Sequence, residues 1–488
     1  MKFLIAFMIL SNTFLLAQNF EVFNKYFEDA TLRLDYYHIG DNINELVTID
    51  QIFKQGIWAG SRVNLLDNFN NGAYYLKIYD DISGELIYSK GFDSYFKEYQ
   101  TSADAQNGIQ KSFHESALIP NPKNKIKFSI EKRDDDNNLN EIFTRIIDPS
   151  DIKIIREKIL DVNVEITKSY YSGDPHSKVD IAIVAEGYTA EEKEKYLNDL
   201  KRFTNIFKKQ EPFKSYINNL NVYGIFKASE ESGVDEPRAN IYKNTTLNAT
   251  FNSLGSERYL LTEDNKTLRD LASHVPYDAI YIMVNHKRYG GGGIYNWSCT
   301  FTADNQFQEY LFIHEFGHSF AGLADEYYTS DVAYNDFYKP TLEPVEPNVT
   351  ALLDPENLKW KKLLTSGIEL PTPWEKEEFD KTDYEWQKER REMNDKIAEL
   401  KRNNADKNLI IQAEQEYIIK DKKRSDIVDQ YLKNCANYGK VGAFEGAGYL
   451  QNGLYRPMID CIMFSKGEKP FCKVCEEAII KVIEHYGE

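Results

Sequence analysis

His314-Glu315-Phe316-Gly317-His318 places two imidazoles four residues apart, with a carboxylate directly after the first. On a helix, side chains four apart lie one turn above each other on the same face. Two imidazoles so placed can hold one Zn²⁺, and the glutamate between them can reach a water at the metal. Upstream, Phe307, Tyr310, Leu311 and Ile313 give an apolar approach compatible with a buried helix. Gly322 stands where such a helix should stop, because glycine tolerates the left-handed conformation of a helix C-terminus. A chain that turns there can return Asp325 to the metal as a third, hard oxygen ligand, with water in the fourth position. Glu326 is the alternative third ligand. Taken alone, the Asp-Glu pair would read as a solvated loop; after two histidines and a helix-ending glycine it reads as a ligand donor.

The full string, H-E-x-x-H-x-x-x-G-x-x-D-E, is similar to the metzincin signature, with the glycine and the third ligand each one residue later. In this longer form it resembles the IgA-peptidase-type zinc metallopeptidases, a secreted bacterial family related to metzincins. Further segments carry the resemblance over residues 175–488: Glu346-Pro-Asn-Val-Thr350, Pro371-Thr-Pro373, Phe444-Glu-Gly-Ala-Gly-Tyr449, Tyr455-Arg-Pro457, Asp460-Cys-Ile-Met463 and Phe471-Cys-Lys-Val-Cys475. The resemblance implies one catalytic Zn²⁺ on His314, His318 and Asp325, with Glu315 as catalytic acid and base. By the same likeness Met463 belongs to a methionine turn, an apolar floor beneath the histidines rather than a ligand. Ser465 occupies the position where astacin-type metzincins carry a tyrosine. Tyr455 or Arg456 is then the expected donor to the oxyanion, against the plainer reading that both are structural.

Elements must hold these groups in place. Residues 18–155 alternate with period two in Thr31–His38, Tyr74–Tyr79, Lys125–Glu131 and Ile142–Ile147, and turn clusters at Asp67–Gly72 and Asp134–Asn138 separate them. An antiparallel β-sandwich is expected there, one that braces the enzyme, with His38 and His114 as ordinary strand residues. After a linker near Lys168–Pro175, an α/β pattern over residues 170–488 suits a metzincin-like zinc-peptidase domain. Val179–Ala185, Leu220–Phe226 and Tyr277–Val284 are its strands. Tyr289 and the four glycines Gly290–Gly293 lack the Lys-Ser/Thr of a phosphate loop. They read as an edge strand bordering the cleft, where bare backbone lets a peptide pair alongside. His286 just upstream reads as a loop residue, not a fourth ligand. An insertion over 374–432, dense in charge, carries Met393, Ile397 and Leu400 and then Ile411, Tyr417 and Ile418 at helical spacing. It predicts a protruding helical hairpin with a solvated face.

The chain of 488 residues is long enough for two or more domains, and 42% hydrophobic content argues against wholesale disorder. A net charge of -18 disfavours nucleic acid, whose phosphates require a basic surface. Lys2, the apolar run Phe3–Leu10 and Leu15-Leu16-Ala17 read as a signal peptide over residues 1–17, too short to span a bilayer. No later run could cross a membrane, so a secreted, periplasmic or cell-surface location is expected. In an oxidising compartment, Cys461 is expected to pair with Cys472 or Cys475. The expected function is a zinc-dependent endopeptidase that hydrolyses peptide bonds by metal-activated water, with a protein or peptide substrate and a monomeric state. Two rivals remain open. One is a surface- or glycan-binding module with a structural zinc, and the other a hydrolase specialised for glycopeptides or peptidoglycan peptides.

Overall fold

The computed structural model of the protein describes residues 21–329 and 338–487; the expected signal peptide lies outside them. Alternation of apolar and polar residues builds seven strands in the first third of the chain. They are β1 (Phe27–Gly40), β2 (Glu45–Gln55), β3 (Tyr74–Asp80), β4 (Leu86–Phe92), β5 (Lys111–Pro122), β6 (Ile126–Arg133) and β7 (Leu139–Ile147). They form two antiparallel sheets, ordered β2-β1-β5 and β4-β3-β6-β7. Leu32, Leu34 and Ile119 from the first sheet share one buried core with Leu76, Ile78, Phe128 and Ile130 from the second. Two short helices follow β4: α1 (Tyr95–Gln100), whose first turn is capped by the Ser94 side chain, and α2 (Ala103–Gln106).

His38 is more than a strand residue. Its ring is buried on β1, with Nδ1 3.0 Å from Glu115 Oε2 and Nε2 2.7 Å from Glu45 Oε1. The ring stacks on Phe96 of α1 at 4.1 Å, and Glu115 Oε1 accepts the Phe96 backbone N–H at 3.1 Å. One charged clamp therefore joins β1, β2 and β5 and seats α1 on them.

The second part of the chain begins with β8 (Glu165–Tyr170), β9 (Val179–Glu186), α3 (Lys193–Phe207), β10 (Leu220–Phe226), α4 (Asn265–Ala272) and β11 (Ala279–Val284). It continues with β12 (Gly291–Ile294), β13 (Ser298–Thr302) and α5 (Gln308–Ala321). Its mixed sheet is ordered β12-β13-β11-β9-β10-β8, parallel in the middle, with antiparallel strands β12 and β8 at the two edges. Every residue of β9 and β10 is buried, as apolar runs must be when both sheet faces are covered. Leu200 and Phe203 of α3 and Phe312 of α5 join the core on one face, and Leu268 and Leu271 of α4 that on the other.

Two long helices, α6 (Lys376–Arg402) and α7 (Lys407–Asn434), pack against each other around the Asn403-Asn404 turn. They do not protrude as the sequence suggests. Lys401 Nζ lies 3.1 Å from Glu236 and 3.1 Å from Glu414, Asn394 Nδ2 donates to Glu257 at 2.7 Å, and Lys466 Nζ is 3.1 Å from Asp421. Charges expected to face solvent instead strap the hairpin to the body. The hairpin β14 (Phe444–Ala447) and β15 (Leu450–Arg456) and the helix α8 (Lys473–Tyr486) complete the fold. Among the described residues, no helix is long and apolar enough to cross a membrane.

The His38 clamp makes stability depend on pH. Burial opposes charging the imidazole, but the Glu115 and Glu45 carboxylates outweigh it and raise the pKa to about 9. A pKa raised on folding stabilises fully below the unfolded value near 6.5, and the contribution is lost as pH rises through about 9. A shift of that size corresponds to roughly 3 kcal/mol. Urea unfolding should therefore show wild type losing about that much relative to His38→Gln between pH 6.5 and 9.5. Equal pH slopes for the two proteins would remove the clamp from the account.

Candidate metal centre

The orientation of α5 follows from its aromatic residues. Phe312 and Phe316 stack on Tyr281 of β11 at 4.5 and 4.9 Å, and the Tyr281 hydroxyl donates to the Phe312 carbonyl at 2.8 Å. A residue two positions further lies about 200° round the helix. His314 and His318 therefore face away from the sheet. The helix ends where the sequence predicts, with Gly322 left-handed at φ 61° and ψ 33°.

Three donor atoms converge in front of that helix. His314 Nε2 and His318 Nε2 lie 3.1 Å apart, and Asp325 Oδ1 stands 3.1 Å from the first and 3.2 Å from the second. Both Nδ1 atoms are engaged: His314 with the Ile462 carbonyl at 3.0 Å, His318 with the Leu323 carbonyl at 2.6 Å. A carbonyl only accepts, so each Nδ1 carries the proton and each Nε2 presents a lone pair. Two such lone pairs facing a carboxylate oxygen repel one another unless a cation sits among them. Positive charge is favoured at this point, as a proton or as a metal ion: burial opposes it, yet Asp325 raises the His318 imidazole to about 9. Ligands about 2.0–2.2 Å from one tetrahedral ion stand roughly 3.3 Å apart, so the donor set fits zinc in both chemistry and spacing.

The loop after Gly322 is pinned at almost every residue. The Ala324 N–H donates to Asn348 Oδ1 at 2.8 Å, and Asn348 Nδ2 returns a bond to the Ala324 carbonyl at 2.9 Å. The Glu326 N–H donates to the Met463 carbonyl at 2.9 Å, and the Gly448 N–H to the Asp325 carbonyl at 3.0 Å. The Tyr449 hydroxyl donates to Asp325 Oδ2, which turns Oδ1 toward the histidines. Neighbouring side chains on an extended chain point to opposite sides. Asp325 accordingly meets the histidines, while Glu326 points away and lies 3.3 Å from the Cys475 sulfur. Met463 is fully buried beneath α5, and a Cβ at Gly317 would stand 2.9 Å from its sulfur.

Glu315 lies beside this centre, and burial pushes its carboxyl up, with the two histidines partly opposing. Glycines let the edge strand approach it. A Cβ at Gly291 would come within 2.6 Å of Glu315 Oε1, and one at Gly293 within 2.4 Å of the Glu315 carbonyl. On the other face, a Cβ at Gly292 would meet the Tyr259 ring at 2.5 Å. The bare backbone is thus used first by α5 and Tyr259. At Gly291 the outer edge already pairs with Arg258–Leu260, which limits the peptide-pairing edge expected from sequence.

Gly291–Ile294, His314, Glu315, His318 and Asp325 line one cleft, together with Arg258, Tyr289, Tyr327 and Tyr449. Asp93 and Glu98 from the N-terminal part line it too, and the Tyr259 hydroxyl reaches Glu98 at 3.2 Å. Tyr455 and Arg456 are not brought there. Arg456 is fully buried, donates to the Gly446 carbonyl at 2.7 Å and lies over the Phe464 ring at 3.9 Å, so its guanidinium is spent on the fold. Tyr455 pairs through its backbone with Thr350 instead. His286 sits 3.4 Å from Glu236, away from the donor set. The expected disulfide is not formed, as the Cys461 and Cys475 sulfurs stand 3.9 Å apart and all five cysteines are free. Sequence reasoning missed Asn348, Tyr449 and Arg258. The first two stood inside quoted motifs without a role, and Arg258 lies in a loop with no pattern.

Residues 164–483 match the family described as IgA Peptidase M64, and residues 22–144 match the Peptidase M64 N-terminus. No curated protein matches the chain. The two matched segments cover most of the sequence and include every residue of the cleft: the chain belongs to the IgA peptidase M64 family and is a peptidase.

Proposed function

We propose that this peptidase is a secreted, zinc-dependent endopeptidase whose centre is His314, His318 and Asp325. The observation that carries this reading is the triangle of Nε2, Nε2 and Oδ1 with 3.1–3.2 Å edges, both Nδ1 atoms already satisfied. Zinc, when bound there, would lower the pKa of a water to about 7 and polarise the scissile carbonyl. Glu315 takes a proton from the attacking water and delivers it to the leaving nitrogen. A buried carboxyl with a raised pKa suits both halves of that transfer. Tyr449 holds Asp325 in orientation through Oδ2. Arg258 takes the oxyanion role that sequence had given to Tyr455 or Arg456. It lines the cleft, and its charge acts on both Glu315 and Asp325.

The N-terminal strands, which we read as a β-sandwich over 18–155, do more than brace a metzincin-like domain over 170–488. Asp93 and Glu98 put two carboxyl groups on the cleft wall, so this module takes part in substrate contact. Export after removal of residues 1–17 fits the reading.

Glu315→Gln should keep its zinc by elemental analysis and lose about 10²–10⁴-fold in kcat/KM on casein-derived peptides. Retained proteolysis by the pure, metal-loaded variant would end the acid-base assignment. His318→Ala should lose the zinc of this centre, and an undiminished metal content would contradict the ligand set. Arg258→Gln should keep zinc and lower kcat by about 10²-fold, in the range seen when one oxyanion donor is removed. A kcat equal to wild type would return the oxyanion role to another group.

A further inference from the structure

Behind the loop that presents Asp325, three sulfurs and a carboxylate meet in a second cluster: Glu326, Cys461, Cys472 and Cys475, all buried. The four donor atoms lie within 4.8 Å of one another. Cys461 Sγ and Cys475 Sγ are 3.9 Å apart, and Glu326 Oε1 lies 3.3 Å from Cys475 Sγ and 3.9 Å from Cys472 Sγ. Sulfurs about 2.3 Å from a tetrahedral zinc stand roughly 3.8 Å apart, and a sulfur and an oxygen roughly 3.5 Å apart. The observed separations match those edges.

Two independent features support a charged ligand set over a patch of neutral thiols. Backbone N–H groups point at sulfur: Cys472 N–H to Cys461 Sγ at 3.1 Å, Met463 N–H to Cys461 Sγ at 3.5 Å, and Cys475 N–H to Cys472 Sγ at 3.5 Å. Glu326 is fully buried, and its Oε2 has no hydrogen-bond partner. A buried carboxylate oxygen left without a donor is costly unless a cation compensates it.

We propose that Glu326, Cys461, Cys472 and Cys475 hold a second, structural zinc ion, separate from the His314–His318–Asp325 centre. Zinc cancels half of the negative charge of three thiolates and one carboxylate. The Arg456 guanidinium, whose charge acts on Glu326, and the N-terminus of α8, capped by Cys472, face the remainder. The site also explains why one Asp-Glu pair contains two candidate ligands. Asp325 serves the cleft, Glu326 serves the thiol cluster, and the second ion fixes the backbone from which the first takes its carboxylate. No cleft residue is a donor to this ion, so the inference stands or falls apart from the peptidase mechanism.

The test uses the full chain, purified without chelator. Elemental analysis should give two zinc per chain in wild type, one in His314→Ala/His318→Ala and one in Cys472→Ser/Cys475→Ser. Wild type exchanged with Co²⁺ should show thiolate-to-cobalt charge transfer in the near ultraviolet, and the double histidine variant should keep that band. A wild-type zinc content that falls to zero in His314→Ala/His318→Ala would overturn the proposal, whereas a single wild-type zinc kept in that variant would leave it standing and count against the cleft ion instead. A Cys461–Cys475 or Cys461–Cys472 cross-link in non-reducing peptide mapping, or a cobalt protein without the thiolate band, would also overturn it. The wild-type measurements stand even if a cysteine variant fails to fold.

Discussion

The structure turns on an electrostatic problem: two imidazole lone pairs and a carboxylate oxygen held within 3.2 Å of one another in a buried place. That arrangement requires positive charge among the three atoms, carried by a proton or by a metal ion. It persists because each participant is fixed from behind, the histidines through their Nδ1 atoms and Asp325 through Tyr449 and a loop with little freedom left. A site assembled in this manner loses little entropy on taking up a cation, since the ordering was done when the chain folded.

The same economy of position governs the helix and the sheet edge. One face of α5 is committed to Tyr281, so the other face has one direction in which to present its histidines. The neighbouring strand must come close enough to form a wall, and any side chain on Gly291 or Gly293 would collide with that helix. The N-terminal part is tied into the wall by a relay. His38 and Glu115 seat Phe96, Phe96 belongs to α1, and α1 delivers Glu98 to the cleft. A buried ion pair in the first sheet is thereby joined by direct contacts to the wall of the cleft.

Much of this could be read from the chain alone. The five residues from His314 to His318, with Gly322 and Asp325, contained the helix, its end and the return of the chain, because each depends on local geometry. Strands such as β1, β3, β6 and β7 followed from alternation, and the inner strands β9 and β10 from unbroken apolar runs. The failures have a common physical cause. Arg456 looked like an oxyanion donor because arginine is charged, yet Phe464 and Trp374, the latter distant in sequence, enclose it. The hairpin of α6 and α7 looked solvated because Lys401 and Glu236 are 165 residues apart and no local pattern announces their meeting. Arg258 and Asn348 gain their roles only once separate loops have been brought together.

The opposed directions of Asp325 and Glu326 restrict how this loop can change over time. Adding one residue between Gly322 and Asp325 would exchange the two faces, sending the aspartate to the sulfurs and the glutamate to the histidines. Parity, not length alone, therefore decides which side chain meets which cluster. It is consistent with this that the extra residue relative to the metzincin pattern falls before Gly322, inside the last turn of α5, while the step from glycine to aspartate stays at three.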